Sequence, residues 1–125
     1  MSIYKTRVFN RWASKEGLTD SALCYAVHEM QDGLFDADLG GGLFKKRVAK
    51  QGQGKRGGYR TLLATNRGDK WFFLFGFPKN ERDNIAKDDE RALKVLAEQS
   101  LSYTPTAISK LMSAGELFEV LCNET

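Results

Sequence analysis

Apolar and polar residues alternate at the start of the chain and then recur at helical spacing. The segment "IYKTRVF" alternates and predicts a short strand, which leads into a helix over "FNRWASKEG". In "LTDSALCYAVHEMQDGL" apolar side chains recur every three or four residues, which predicts an amphipathic helix. Its N-cap is Thr19, and Gly33 stands where a left-handed residue ends a helix.

Strand patterns dominate the middle of the chain. We expect a turn at "DADLGGG", a short strand with basic side chains on both faces at "LFKKRVA", and a glycine-rich loop at "QGQGKRGG". The segments "YRTLLATN" and "KWFFLFGF" predict two strands joined by a hairpin. The second of them is apolar on both faces, so it is expected to be a central strand covered on both sides.

Helical spacing returns in the last third of the chain. The segment "DDERALKVLAEQSLS" predicts a helix capped by Asp88 or Asp89. A second helix follows over "TPTAISKLMSAG", with Thr104 as its N-cap and a proline at its first position.

The element order is therefore β-α-α-β-β-β-α-α, and "ELFEVL" is a candidate for a last edge strand. This order predicts an α+β fold, a small and mainly antiparallel sheet with helices packed against it. The length of 125 residues indicates one domain, residues 1–125.

Length and cysteine usage also predict a compartment. No apolar run is long enough for a membrane span, and "MSIYKTRVF" lacks the apolar core of a signal peptide. Cys24 and Cys122 do not make a disulfide framework or a metal knuckle. We expect a cytoplasmic protein with reduced cysteines and no membrane partner.

The small net charge of +3 conceals a strong segregation of charge. Between Leu39 and Gly68 there are eight basic residues and no acidic one, whereas the rest of the chain holds eleven basic and sixteen acidic residues. Such asymmetry indicates a polyanionic partner, with nucleic acid as the first candidate. The alternative is a solvated basic face without a ligand, which is less favoured because neutral surfaces usually intersperse both signs.

The familiar catalytic motifs are absent from the sequence. His28 is the only histidine, which excludes RNA cleavage by a histidine pair, and His28 with Cys24 is too small a set for zinc. There is no nucleophile elbow, P-loop or dinucleotide fingerprint, so no metal or cofactor is expected. Tyr59 either stacks on an unpaired base or packs at a strand end, and Phe77 is expected in the core.

The central segment "GGGLFKKRVAKQGQGKRGGYRTLLA", followed by "WFFLFGFPKNERDNI", resembles the RelE/ParE superfamily of type II toxin–antitoxin toxins. The resemblance is to the RelE/HigB-like branch of mRNA interferases, and it covers nearly the whole chain. It implies a twisted antiparallel sheet with N-terminal helices on one face and a basic concave surface on the other. It also implies cleavage of mRNA on the ribosome without a metal. The implied partner is an adjacently encoded antitoxin, often a helix-turn-helix protein, in a toxin–antitoxin hetero-oligomer.

The resemblance also implies roles for individual residues. Arg60 matches the strand arginine that contacts the scissile phosphate, and Lys79 matches the polar position after the last central strand. The basic residues before the glycine loop fall on Lys46, Arg47 and Lys50. The predicted RNA-binding set is Lys45, Lys46, Arg47, Lys55, Arg56 and Arg82. The sequence has no histidine at the corresponding positions, so the resemblance leaves the base and the acid unassigned.

RNA cleavage without a metal needs a base at the ribose 2′-OH, positive charge on the phosphorane and an acid at the leaving 5′ oxygen. Arg60 supplies planar, bidentate charge. Neighbouring cations disfavour a protonated lysine, so Lys50 or Lys79 is the candidate base. Tyr59 is a candidate acid or stacking residue. Two other functions stay open, a ParE-like inhibitor of DNA gyrase and a non-catalytic nucleic-acid-binding regulatory module.

Overall fold

The described part of the chain alternates between short strands and helix pairs. The computed structural model describes residues 1–50, 58–79 and 84–122. In chain order the elements are β1 (Ser2–Thr6), α1 (Arg7–Glu16), α2 (Asp20–Gln31), β2 (Ala37–Gly40), β3 (Leu43–Val48), β4 (Tyr59–Thr65), β5 (Lys70–Pro78), α3 (Lys87–Leu101), α4 (Pro105–Ser113) and β6 (Leu117–Glu119). The predicted α+β class is confirmed, and so is the last edge strand.

The strands form a sheet in the order β2-β3-β4-β5-β1-β6. Neighbouring strands are antiparallel except β1 and β5, which run parallel from the pair Ser2–Lys70 onwards. Antiparallel neighbours can be joined by hairpins, whereas a parallel pair requires a long connection. Here α1, α2 and the three strands β2 to β4 provide that connection. The sheet is mainly antiparallel, as predicted.

Each face of the sheet has its own hydrophobic core. On the face that we call the N-terminal face, α1 and α2 pack on the sheet through buried side chains, which include Phe9, Leu23, Val27, Met30, Phe44, Leu63, Trp71 and Phe73. On the opposite C-terminal face, α3 and α4 pack over a second cluster, which includes Tyr4, Leu43, Leu62, Ala64, Phe72, Leu74, Ala97 and Ile108. Strand β5 contributes to both clusters, which confirms its prediction as a central covered strand.

Threonine caps and one missing cap define where the helices begin. The hydroxyls of Thr19 and Thr104 accept hydrogen bonds from the backbone N–H groups of α2 and α4, which confirms both predicted N-caps. The prediction for α3 is wrong, because the helix begins at Lys87 and its N-cap, Ala86, makes no side-chain cap. Asp88 and Asp89 lie inside the first turn instead, where their charge complements the helix dipole.

The segment predicted as a turn before β3 contains a strand. Residues Ala37–Gly40 form the edge strand β2, and Asp38 pairs with Phe44 of β3. The turn is confined to the glycines that follow, which adopt the left-handed φ values that a tight reversal requires. The strand was missed because its hydrogen bonds come from pairing with β3 and not from any local preference of "ADLG".

The two cysteines form a disulfide, so the prediction of unpaired cysteines is wrong. Cys24 of α2 is bonded to Cys122, 98 positions later in the sequence. Two contacts explain the approach. The β6 strand pairs with β1 beside α2, and the Leu121 backbone N–H donates to the Asp20 carboxylate at 3.1 Å. The two Cα atoms are therefore 5.8 Å apart, a separation that suits a disulfide.

Candidate nucleic-acid interface

Three residues form one row across the C-terminal face of the sheet. Arg47 of β3 lies directly opposite Arg60 of β4, and Arg60 lies directly opposite Phe77 of β5. Residues directly opposed on antiparallel strands project from the same face. Lys45 belongs to the next row of the same face, opposite Leu62. The sheet therefore brings Lys45, Arg47 and Arg60 together, and Phe77 is buried as expected.

Arg60 is a buried cation with an unused hydrogen-bond donor. Its relative exposure is 3%. Its Nη1 atom is buried and has no hydrogen-bond partner within the described residues. A guanidinium carries five N–H donors, and buried polar atoms are normally satisfied. An anion that accepts a hydrogen bond from Nη1 would remove this deficit.

Arg47, in contrast, already has an anionic partner. Its Nε lies 3.0 Å from the Asp36 carboxylate, and its side chain is about half exposed. The other Asp36 oxygen accepts the Arg47 backbone N–H at 2.5 Å. Asp36 therefore neutralises Arg47, whereas Arg60 has no such ion pair with any of the residues that the structure describes. This partner was not predictable, because Asp36 precedes the edge strand β2, which was not predicted from the sequence.

Lys46 projects from the opposite face and is not available to RNA. Its ammonium group forms an ion pair with Glu29 of α2 at 3.0 Å and donates to the Leu34 carbonyl at 2.9 Å. Only 4% of its side chain is exposed. The assignment of Lys46 to RNA binding is corrected by this placement. Lys46 follows Lys45 in an extended strand, and successive side chains point to opposite faces.

Tyr59 and Arg60 are also successive residues of an extended strand, so their side chains lie on opposite faces of the sheet. The Tyr59 ring is buried on the N-terminal face, edge-on against Trp12, and its hydroxyl donates to the Glu16 carbonyl at 3.0 Å. Burial raises the pKa of the Tyr59 phenol, and the nearby Glu16 carboxylate raises this pKa further. Tyr59 was predicted either to stack on an unpaired base or to pack at a strand end, and in the structure it packs at a strand end. The assignment of Tyr59 as an acid beside Arg60 is therefore corrected.

The two candidate bases occupy different surroundings. Lys79 directly follows β5, two positions after Phe77, and is a diagonal neighbour of Arg60 across the strands. Its backbone N–H donates to the Gly58 carbonyl at 3.2 Å. Lys50 is exposed beyond the end of β3 and lines a cavity of about 700 Å³ together with Tyr59. Arg60 does not line that cavity, so register favours Lys79 as the lysine nearer to Arg60.

The remaining predicted contacts fall elsewhere in the chain. Lys55, Arg56 and Arg82 lie outside the described residues. Within the described ranges there is no group of three or more histidine, cysteine, aspartate or glutamate residues that could hold a metal ion. None of the helices in those ranges is long and apolar enough to cross a membrane.

Comparison with known families matches residues 1–120 to the family described as the RelE toxin of the RelE/RelB toxin–antitoxin system. A search of curated proteins by sequence finds no match. The family match spans nearly the whole chain and agrees with the α+β fold. The chain therefore belongs to the RelE toxin family, and it is a toxin of a toxin–antitoxin system with a cognate antitoxin as its partner.

Proposed function

We propose that this toxin is a metal-independent, ribosome-associated endoribonuclease that cuts mRNA in the cytoplasm and so blocks translation. The observation that carries the proposal is the buried Nη1 of Arg60, which has no hydrogen-bond partner among the described residues and lies on a face that also holds Lys45 and Arg47. A phosphodiester is a suitable ligand for this arrangement, because it accepts paired hydrogen bonds from a guanidinium. Membership of the RelE family supports a toxin that acts on translation over one that acts on DNA gyrase.

The proposed reaction is an internal transfer within the RNA. The ribose 2′ oxygen attacks the adjacent phosphorus, the bond to the 5′ oxygen breaks, and a cyclic phosphate and a free 5′-hydroxyl result. Lys79 removes the 2′-OH proton, and Arg60 stabilises the charge that builds on the phosphorane. Since Tyr59 lies on the other face, we assign the proton for the leaving oxygen to a donor on the ribosome. This assignment explains why cleavage would depend on the ribosome.

The remaining basic side chains have a positioning role in this proposal. Lys45 lies on the same face as Arg60 and would contact a phosphate beside the scissile bond, whereas Arg47 lies on that face with its charge paired to Asp36. Phosphate contacts fix register and orientation, and they carry no sequence information by themselves. Codon preference would then come from the ribosome-bound mRNA geometry and from contacts to bases.

The test is an RNA-cleavage assay on ribosomes that carry a defined mRNA. We expect Arg60→Ala to lower the cleavage rate about 100-fold or more, since one lost contact to a developing anion has an effect of this size. Lys79→Ala should also be impaired. Lys110→Ala is the matched control, because it removes an exposed lysine from α4, away from the sheet row. Undiminished cutting by both Arg60→Ala and Lys79→Ala would refute the assignment.

A companion measurement separates the nuclease from a gyrase inhibitor. After induction of the toxin in cells, protein synthesis and plasmid supercoiling are followed together. We expect translation to stop while supercoiling stays intact. Loss of supercoiling before translation fails would instead support the ParE-like function. If neither process changes, the chain would be a nucleic-acid-binding module without toxicity.

A further inference from the structure

A second cavity surrounds the disulfide, on the side of the molecule formed by α2 and the C-terminal segment. It measures about 500 Å³, and its lining includes Cys24, Cys122, His28, Tyr25 and Leu121. We propose that the Cys24–Cys122 bond is a redox-sensitive clasp that exchanges with a small thiol such as glutathione and thereby fastens or releases the segment after β6. This inference does not depend on RNA cleavage.

The disulfide holds a segment that is otherwise attached by the burial of Val120 in the N-terminal-face core and by a few backbone hydrogen bonds within the described residues. Strand β6 is only three residues long and lies at the edge of the sheet. Beyond it, the Val120 backbone N–H donates to the Ile3 carbonyl at 2.8 Å, and the Leu121 N–H donates to Asp20 at 3.1 Å. Short segments at the edge of a sheet open locally at low free-energy cost. Among these attachments, loss of the covalent bond to α2 is therefore expected to loosen residues 120–122 most.

The two cysteine residues differ in their exposure to solvent. Cys24 is buried in α2 with a relative exposure of 7%, whereas Cys122 is partly exposed beside the cavity. Two of the residues that line the cavity, Tyr25 and Leu121, are largely exposed, so the cavity is open to solvent. An incoming thiolate should consequently attack Cys122 Sγ and release Cys24 as the leaving thiolate.

The exchange balances with glutathione as the named reductant. The first glutathione thiolate forms a mixed disulfide with Cys122, and the Cys24 sulfur leaves with the electron pair and takes up a proton. A second glutathione attacks the sulfur of the bound glutathione, which yields glutathione disulfide and the free Cys122 thiol. His28 follows Cys24 by one helical turn and lines the same cavity. The reverse sequence closes the clasp.

Release should remain local to the C-terminal segment. Asp20, which accepts the Leu121 N–H, is also paired with Lys5 of β1 at 2.8 Å. That ion pair joins α2 to the sheet whether or not the disulfide is present. The cluster on the C-terminal face contains neither cysteine, and the cluster on the N-terminal face includes many buried side chains besides Cys24, Val120 and Cys122. We expect residues 120–122 to loosen while the sheet stays folded.

The test uses the intact protein in glutathione buffers of graded oxidation, followed by acid quenching, alkylation and mass measurement. As the glutathione buffer becomes more oxidised, we expect a single transition in which the protein loses two hydrogen atoms. The midpoint of this transition should not depend on protein concentration. Hydrogen exchange at Val120 and Leu121 should be about tenfold or more faster in the reduced protein, with β5 unchanged. The proposal is overturned if the thiols stay reduced at every ratio, or if reduction leaves exchange at these two amides unchanged.

Cysteine variants test the order of attack. In Cys24→Ser, the remaining Cys122 should readily accept one glutathione. In Cys122→Ser, the buried Cys24 should react with glutathione at least about tenfold more slowly. The double variant Cys24→Ser/Cys122→Ser is the control, and its hydrogen exchange should ignore the glutathione ratio. Equal reactivity of the two single variants would contradict attack at Cys122.

Discussion

Arg47 and Arg60 lie directly opposite each other on β3 and β4 and project from one face of the sheet. Like charges in this position destabilise a sheet unless an anion compensates them. Asp36 compensates Arg47 at 3.0 Å, whereas Nη1 of Arg60 has no hydrogen-bond partner in the described part of the chain. The proposed function uses this uncompensated charge as the site for a phosphate.

Replacement of Arg60 by methionine should increase stability and abolish function. A buried, incompletely hydrogen-bonded cation has an unfavourable desolvation cost, and a flexible apolar side chain can fill similar space. We expect Arg60→Met to raise the free energy of unfolding in urea by about 1–3 kcal/mol. Cleavage of ribosome-bound mRNA should fall together with that gain. A loss of stability would show that the arginine serves the fold instead.

Lys45 and Lys46 are sequence neighbours with opposite expected behaviour. Lys46→Ala should lower the free energy of unfolding by about 3 kcal/mol, because it removes the buried ammonium group that pairs with the mostly buried Glu29 carboxylate. Lys45→Ala should leave stability nearly unchanged and weaken RNA binding. Its plot of log affinity against log salt should become shallower by about 0.7. Urea titration and RNA binding at several salt concentrations measure the two effects, and equal behaviour of the two variants would contradict their placement on opposite faces.

Asp36 should restrain RNA binding through Arg47. In Asp36→Asn, the charge that neutralises Arg47 is removed while the side chain keeps its size. We expect tighter binding of single-stranded RNA and a salt dependence steeper by about 0.7 in the same plot, since one more cation becomes available to a phosphate. Asp38→Asn is the matched control on the same edge, because the Asp38 carboxylate accepts the Gly40 backbone N–H and forms no ion pair with another described residue. A gain in both variants would indicate a general charge effect.

Tyr59 should govern stability at alkaline pH and leave catalysis intact. Its pKa is raised above the ordinary value of 10.0, so the folded state favours the protonated phenol. The resulting stabilisation is fully present below pH 10.0 and is lost as the pH rises through the folded-state pKa. Tyr59→Phe should remove this alkaline loss and cost about 1 kcal/mol near neutral pH through the missing hydrogen bond to Glu16. Urea titrations across the alkaline range measure the first effect, and a large fall in RNA cleavage would contradict a structural role.

Features with a local cause were predictable from the sequence. Thr19 and Thr104 cap their helices because a side-chain oxygen reaches an N–H group three residues later. Strand β5 was predicted as central because "KWFFLFGF" is apolar on both faces. The grouping of Lys45, Arg47 and Arg60 also follows from the acid-free segment once its strands are paired.

Features with a distant cause were not predictable. The disulfide joins residues 98 positions apart, and nothing near Cys24 or Cys122 announces the partner. In the sequence, Lys46 does not differ from the neighbouring basic residues. Its burial is explained only by Glu29 on α2, a helix that packs over the strand. The split between Tyr59 and Arg60 depends on which face of β4 each helix pair covers, a property of the assembled sheet.

Sequencing of the 5′ ends of cellular RNA after brief induction of the toxin shows whether Arg60 takes part in mRNA cleavage in the cell. Wild-type toxin and the Lys110→Ala control should both create new 5′ ends within translated mRNA, and Arg60→Ala should create few or none. The proposed cleavage of mRNA through Arg60 is contradicted if the wild type creates no new 5′ ends while growth stops. It is also contradicted if Arg60→Ala produces the same 5′ ends at the same frequency.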